Sequence, residues 1–462
     1  MVAPFRTWSG RLVARPWLLG FVPINSATAG FGVALPLLIL FPLHGSWTDV
    51  AVAATLFNAS VTLSSVLWGH FSDVYPRRRL FLVINYAGYA GIYLLLAHVG
   101  SFTELLVAYG VVGVLAPAGA SASNLLILEK FPEGERAVAF ASFQEMSMVG
   151  SIVGLLIGYF WTLGNGALGE LLYVLSALAL TSAFALGFGI TEASRSLTTR
   201  QVARHTESLF SRIRPIGPLQ NAVPFFPRRP HLRPRPLGRL THWGREELHH
   251  ELPLIMISSF LFTLAANLFN ISYTPFLVVS GLVPASIFLV NLTNNFTQTL
   301  VFPVTGPLAN RIGADRLVRR ATYVRGLGYL VTGGFALLAF GRRDALLANV
   351  LVYALLGGAI AVYTTGSSLM LFRGLQRRDP GSLLGLNSAF GGAAAVAGAA
   401  LSWALALVGS FRLVFFVSGG LLLASLPIWA AASLAYERRR PAASSAAVVP
   451  QGPEPPPAAK PH

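Results

Sequence analysis

Glu145 is the acidic residue of this chain whose surroundings give it a chemical role. The chain contains 18 acidic residues, and Glu145 is the one that falls well inside a long apolar stretch rather than in a predicted loop, tail or helix end. A charged carboxylate within a membrane is costly, and ionisable residues there usually serve function. Since proton uptake would remove that cost, Glu145 is a candidate proton-coupling group. The sequence leaves open the alternative of a shallow glutamate that reaches water or pairs with a loop arginine.

Uncharged polar side chains recur at helical spacing within the apolar stretches. Thr263, Asn267, Asn270 and Thr274 follow an i, i+4, i+7, i+11 pattern, which places them on one helical face. Such faces line a watery cavity or hold helices together by hydrogen bonds. The candidates for a substrate cavity are Asn25, Asn124, Asn267, Asn270, Asn291, Asn295, Gln298, Tyr363 and Asn387. This cavity suits a neutral or weakly charged solute, because it lacks the buried arginine that a phosphate or carboxylate substrate requires.

The elements that must position these residues are membrane-spanning helices. Of the 462 residues, 54% are hydrophobic and 11% are charged, and apolar stretches of roughly 20 residues, long enough to cross a bilayer, recur along the chain. A backbone in lipid must satisfy its own hydrogen bonds, so these stretches are helical. The sequence predicts an all-α integral membrane protein with twelve transmembrane helices. Residues 1–190 hold six of them, 191–251 form an Arg- and Pro-rich linker, 252–436 hold six more, and 437–462 form a disordered tail.

Two short turns between apolar stretches repeat one pattern about half a chain length apart. The first turn contains Gly69, Asp73, Arg77 and Arg78, and Pro76 separates the two helices because proline cannot continue a helix. The second turn contains the corresponding residues Gly306, Asn310, Arg311 and Gly313.

This pair of turns resembles the loop signature of the major facilitator superfamily. Val74 and Pro76 depart from the basic residue and the glycine of that signature, and Asn310 replaces its aspartate in the second copy. Arg136 similarly resembles the arginine of the family's loop between helices 4 and 5. The resemblance implies two pseudo-symmetric six-helix halves. It also implies secondary active transport of a small organic solute by alternating access, with the substrate held between the halves.

The resemblance also implies a role for Asp73. In the family the matching acid closes the cytoplasmic gate by docking on the N-terminal end of helix 11, which is expected here near Ser382. A helix N-terminus favours a carboxylate, because it presents free N–H groups and a partial positive charge. The alternative for Asp73 is a solvated carboxylate paired with Arg77 or Arg78.

The distribution of basic residues predicts the orientation in the membrane. Thirty-one of the 34 basic residues fall on the side of the two termini and the linker, five of them in loop 8–9 and the start of helix 9. The exceptions are Arg342, Arg343 and Arg412. Because cytoplasmic loops are enriched in Lys and Arg, we expect a multi-pass protein of the cell membrane with both termini and the linker in the cytoplasm.

Several functions remain open from the sequence. Uptake of a neutral polar solute, efflux of a drug-like compound, and ligand sensing without transport all fit. His242, Glu246, His249 and His250 have the spacing of one helical face, but a solvated polar face explains them better than a metal site. With no phosphate-binding loop and no nucleophile motif, we expect neither an enzyme nor a cofactor. The expected partners are a small-molecule substrate, the lipid bilayer and, if transport is coupled, protons; we expect a monomer and no nucleic-acid binding.

Overall fold

The computed structural model of the chain describes residues 16–74, 77–130, 133–190, 251–338, 341–375 and 380–444. Within these ranges, the side chains of Asp73, Asn124, Arg136 and Asn310 lie outside the description. The described ranges contain twelve α-helices after a short 3-10 turn at Pro16–Gly20, and no strand. The first six helices are α1 (Phe21–Leu40), α2 (Trp47–Val74), α3 (Arg78–Ala97), α4 (Phe102–Lys130), α5 (Glu133–Leu163) and α6 (Leu168–Gly189). The other six are α7 (Glu251–Val279), α8 (Pro284–Ile312), α9 (Ala314–Phe335), α10 (Arg342–Leu375), α11 (Pro380–Val408) and α12 (Phe411–Ser444).

Local chemistry explains the two turns that the sequence singled out. Pro76 lies between the end of α2 at Val74 and the start of α3 at Arg78. Between α8 and α9 the chain turns at Gly313, whose φ of +96° suits glycine because a side chain would be strained there. The Gly313 N–H donates to the Ala309 carbonyl at 3.0 Å, and the Gly313 carbonyl accepts the Leu317 N–H at 3.1 Å. Gly313 therefore ends one helix and starts the next.

Nine of the twelve described helices are long and apolar enough to cross a membrane by length and composition alone. The other three are α2, α8 and α9, which have 28, 29 and 22 residues and are long enough but more polar. The polar residues of α8 are five amides, five serines and threonines, and Arg311, while α9 contains four arginines. In a bundle these side chains can be shielded from lipid by neighbouring helices.

The two sets of six helices pack by the same rule. In the first half, α1 packs on α5 and α6, α2 on α4, and α3 on α4 and α6. In the second half, α7 packs on α11 and α12, α8 on α10, and α9 on α10 and α12. The halves meet where α2 packs on α11 and α5 on α8, which are equivalent contacts under the pseudo-symmetry. The chain is thus an all-α bundle of two pseudo-symmetric halves, as predicted.

The ends of the second half differ slightly from the expected boundaries. Helix α12 continues through residues 437–444, which the sequence assigned to the tail. Glu437 and Arg438 are good helix formers, and they extend the transmembrane helix. The linker residues 191–250 and the tail residues 445–462 lie outside the described part of the chain.

Candidate functional site

Contacts between the two halves define one end of the bundle as closed. We call the end that carries the α2–α3 and α8–α9 turns the motif face, and the opposite end the far face. At the far face, the Trp47 ring at the start of α2 stacks on the Phe411 ring at the start of α12, with centroids 4.2 Å apart. Near the same end, a Cβ atom at Gly158 of α5 would overlap the Phe288 ring of α8. The halves are therefore in close contact at the far face.

Within each half, a glycine also lets one helix approach an asparagine of a neighbouring helix. A Cβ atom at Gly150 of α5 would lie 2.7 Å from the Cβ of Asn25 in α1. In the second half, a Cβ atom at Gly398 of α11 would lie 3.0 Å from the Cβ of Asn267 in α7. Glycine lets each helix pair approach closely at these points. The pseudo-symmetry thus places Asn25 and Asn267 at equivalent positions on α1 and α7, two helices that touch across the interface between the halves.

The candidate amides keep hydrogen-bonding capacity for a ligand. Asn25, Asn267, Asn291 and Asn295 are half-buried, and each donates one Nδ2 hydrogen to the carbonyl four residues earlier in its own helix, at 2.7–3.1 Å. None of the described hydrogen bonds uses an Oδ1 atom of these four residues. Each amide is therefore held in a fixed rotamer with its acceptor oxygen available.

The remaining polar candidates differ in their surroundings. Asn270 is exposed, while Gln298 and Asn387 are half-buried. One turn further along α11 from Asn387, a Cβ atom at Gly392 would lie 3.0 Å from Oγ1 of Thr62 in α2, so this part of α11 lies at the contact between the halves. The side chain of Asn124 lies outside the described residues.

Tyr363 and Asn294 lie apart from this group. The Tyr363 ring is buried inside the second half, where it stacks on Phe262 of α7 with centroids 3.4 Å apart and meets the edge of Trp429. Asn294, which precedes the candidate Asn295 on α8, donates to the Tyr353 carbonyl of α10 at 2.9 Å and so joins two helices of one half. Helical spacing alone could not separate these two residues from the cavity candidates.

The motif residues occupy the motif face. Gly69 and Asp73 lie in the last two turns of α2, Gly306 and Asn310 in the last two turns of α8, and Arg136 in the first turn of α5. Arg77 and Arg311 are exposed, whereas Arg78 at the start of α3 is 4% exposed. The docking of Asp73 on α11 remains a prediction, because the Asp73 side chain lies outside the described part.

Glu145 lies in α5, twelve residues after the helix begins at Glu133 and therefore about 18 Å along its axis. Its side chain is half-buried. The neighbouring Gln144 on the same helix is exposed. Glu145 thus combines partial burial with a position on α5, which packs on α8 of the other half.

Arg325 is a buried cation that the sequence analysis misplaced. It was counted among the five basic residues of loop 8–9 and the start of helix 9, but α9 begins at Ala314 and continues well past Arg325 to Phe335. Arg325 therefore lies about 16 Å along α9, three turns from the motif face, and only 6% of its surface is exposed. Counting residues from Gly313 would have revealed this depth.

Arg325 is held by aromatic rings and not by an acid. Its Nε–H donates to the Tyr329 hydroxyl at 2.6 Å, and its guanidinium lies 5.3 Å from the Phe262 ring centroid and 5.4 Å from that of Tyr329. No carboxylate of the described side chains lies within ion-pair distance of it. A desolvated cation–π contact contributes roughly 2 kcal/mol. Removing an ion from water costs several kcal/mol, and arginine cannot lose its proton to avoid that cost.

A cleft of about 510 Å³ opens at the far face within the second half. It is formed by the ends of α7, α9, α10 and α12, and Phe411 in its lining also stacks on Trp47 of the first half, so the cleft borders the interface between the halves. Arg412 at its edge donates its Nε–H to the Ala336 carbonyl at 3.1 Å. Buried Asn349 in its wall accepts a hydrogen bond from the Tyr273 hydroxyl at 3.0 Å.

The described side chains contain no group of three or more His, Asp or Glu residues that could hold a metal ion. The predicted cluster of His242, Glu246, His249 and His250 lies outside the described residues.

Comparison with known proteins gives one family and a set of similar folds. The model of the Major Facilitator Superfamily matches residues 17–371. The structure of the nucleoside transporter NupG is similar with a TM-score of 0.63 and 14% identity, over 90% of this chain and 97% of that one. The structure of a D-xylose-proton symporter is similar with a TM-score of 0.63 and 15% identity, over 89% of this chain and 95% of that one. No curated protein matches the chain in sequence.

Proposed function

The chain belongs to the major facilitator superfamily, a family of transporters and not of enzymes, and on that premise we propose that it carries a small, neutral, polar organic solute rich in hydrogen-bond donors. The observation that carries the proposal is a set of four fixed amides on α1, α7 and α8. Each of them keeps an available acceptor oxygen; they are Asn25, Asn267, Asn291 and Asn295. Amide acceptors recognise hydroxyl and N–H groups, which sugars and nucleosides carry in number.

Two arguments favour this proposal over efflux of an apolar drug-like compound. The first is that binding a polar group in a buried site is selective, because a ligand without donors would leave the amide oxygens unpaired. The second is that the similar structures are those of a nucleoside transporter and a D-xylose-proton symporter, whose substrates are hydroxyl-rich. At 14–15% identity these similarities show the fold alone, and the substrate class is our proposal.

We also propose that the substrate reaches the site by alternating access. The Trp47–Phe411 stack and the Gly158–Phe288 contact close the far face in this structure. The complementary state would open the far face and close the motif face. There, Asp73 would dock on the N-terminal end of α11. Because both halves of the site belong to one chain, a monomer suffices for this cycle.

Exchange across proteoliposomes tests the proposed substrate class. Purified full-length protein is reconstituted with an unlabelled internal solute, and entry of the same radiolabelled solute is measured for uridine, xylose and a lipophilic cation. We expect counterflow with at least one of the two hydroxyl-rich solutes and none with the lipophilic cation. Counterflow with the lipophilic cation alone would support efflux instead. Ligand-induced thermal stabilisation without any counterflow would indicate a sensor.

The latch role of Asp73 has its own measurement. Asp73→Asn removes a charge whose interaction with a helix N-terminus is about 0.3–1 kcal/mol, or up to ~2 when partly buried. We expect slower net transport with substrate binding retained, because the state closed at the motif face loses stability. A transport rate equal to that of the wild type would contradict the proposed role of Asp73 in closing the motif face.

A further inference from the structure

The second half of the bundle contains three buried polar groups that lack hydrogen-bond partners within the described structure. They are Oγ of Ser258 in α7, Oγ1 of Thr322 in α9 and Nε1 of Trp429 in α12. All three residues are fully buried. Each group can donate a hydrogen bond, and a buried donor left unpaired is destabilising. Buried groups of this kind ordinarily pair with protein, water or a bound ligand.

These three donors belong to helix segments next to Arg325 and its aromatic neighbours. Thr322 precedes Arg325 by three residues and Ser258 precedes Phe262 by four, so each donor lies one turn toward the motif face on the same side of its helix. The Phe262 ring lies 5.3 Å from the Arg325 guanidinium.

Trp429 joins the same group from α12. Its ring meets the edge of Tyr363 with centroids 6.2 Å apart, and Tyr363 stacks on Phe262 at 3.4 Å. From this spacing and these ring contacts we infer that one cation and three unpaired donors, contributed by α7, α9 and α12, lie in the same part of the second half. An acceptor-bearing species of negative charge is the chemical complement of such a group, because it would pair with the donors and neutralise the guanidinium together.

We propose that the second half binds a small inorganic anion, of the charge and size of a halide, beside Arg325. Water alone would satisfy the hydroxyl and indole donors but would leave the charge uncompensated. Close packing of α9 against α12 favours a small anion over a large organic one. A Cβ atom at Gly326, next to Arg325, would lie 2.9 Å from Cδ2 of Leu423. The anion would stabilise the second half whatever substrate the protein carries.

Thermal unfolding of the full-length protein in detergent tests this proposal. Sodium gluconate is replaced stepwise by sodium chloride, and then by sodium bromide, at constant ionic strength, and unfolding is followed by circular dichroism. Because a ligand that binds only the folded state stabilises it by mass action, we expect a saturable rise in the unfolding temperature with either halide. Equal unfolding temperatures in gluconate, chloride and bromide would overturn the proposal and leave water as the partner of these donors.

Matched variants locate the site. Thr322→Val keeps the side-chain shape and removes one donor, so we expect about ten-fold weaker apparent halide affinity. Arg325→Met should abolish the halide dependence, and Trp429→Phe provides a second donor-deletion variant if Arg325→Met does not fold. Arg412→Met, at an exposed arginine of the far face, should keep the wild-type dependence. A wild-type response in both Thr322→Val and Trp429→Phe would place the anion elsewhere and contradict the proposal.

Discussion

The amides of α7 and α8 separate into two groups according to what their side chains contact. Asn267 bonds only within its own helix, whereas Asn294 joins α8 to α10 through the Tyr353 carbonyl. We expect Asn267→Leu to raise the substrate KM about ten-fold with little change in thermal stability, since one ligand hydrogen bond contributes roughly 1 kcal/mol or more. Asn294→Leu should lower the unfolding temperature and leave KM nearly unchanged. KM and unfolding temperature, measured on both variants, check this, and the reverse assignment would contradict the proposed cavity.

Glu145 tests whether transport is coupled to protons. Glu145→Gln imitates the protonated carboxyl group, so it should abolish accumulation driven by a pH gradient while preserving counterflow, which needs no net proton movement. Both activities are measured in proteoliposomes with and without an imposed gradient. Glu170→Gln, at an exposed glutamate in the first turn of α6, is the matched control and should retain both. Continued accumulation in Glu145→Gln would make Glu145 structural, and a wild type indifferent to the gradient would exclude proton coupling.

At the scale of the helices, Gly158 allows α5 to meet α8 at the far face. A valine there would overlap the Phe288 ring, so Gly158→Val should favour states in which the far face is open. The sequence contains no cysteine, so spin labels can be attached cleanly at cysteines introduced at the exposed positions Pro42 and Leu413. We expect longer distances between the labels in Gly158→Val. Gly91→Val, where a Cβ atom meets nothing within 4 Å, should keep the wild-type distribution. If both variants give the same distance distribution, the contact between Gly158 and Phe288 does not control the opening of the far face.

The elements were more predictable from the sequence than their contacts, for a physical reason. Helix number follows from apolar length, and the two turns follow from Pro76 and Gly313, because proline and glycine act on their own backbone. Whether a polar side chain faces the cavity or another helix depends on which helices pack beside it, and a single sequence does not specify those neighbours. Tyr363 was therefore a cavity candidate by residue type, although its ring lies in an aromatic core. Arg325 was counted with the basic residues at the start of helix 9, because its charge gave no sign of the aromatic rings that bury it.

At the scale of the whole molecule, the two faces differ in charge. The far face carries the exposed Arg342, Arg343 and Arg412, whereas thirty of the other basic residues belong to the motif face, the linker or the termini, and Arg325 is buried within α9. Translocating so many cations is disfavoured, and the bias in loops near the helix ends sets orientation. We therefore expect the motif face to lie in the cytoplasm. This also assigns the state closed at the far face as closed to the outside.

Accessibility of single cysteines determines this orientation. Cysteines at Gly341 and Pro42, both exposed at the far face, should react with an impermeant thiol reagent in right-side-out membrane vesicles. A cysteine at Phe225, in the linker between the halves, should react only after the vesicles are opened with detergent. The wild type has no cysteine and supplies the background in both conditions. Because the twelve helices place both termini and the linker on one side, the three positions must respond as two groups. Labelling of Phe225 with protection of Gly341 and Pro42 would invert the orientation, and the far-face contacts would then close the cytoplasmic side.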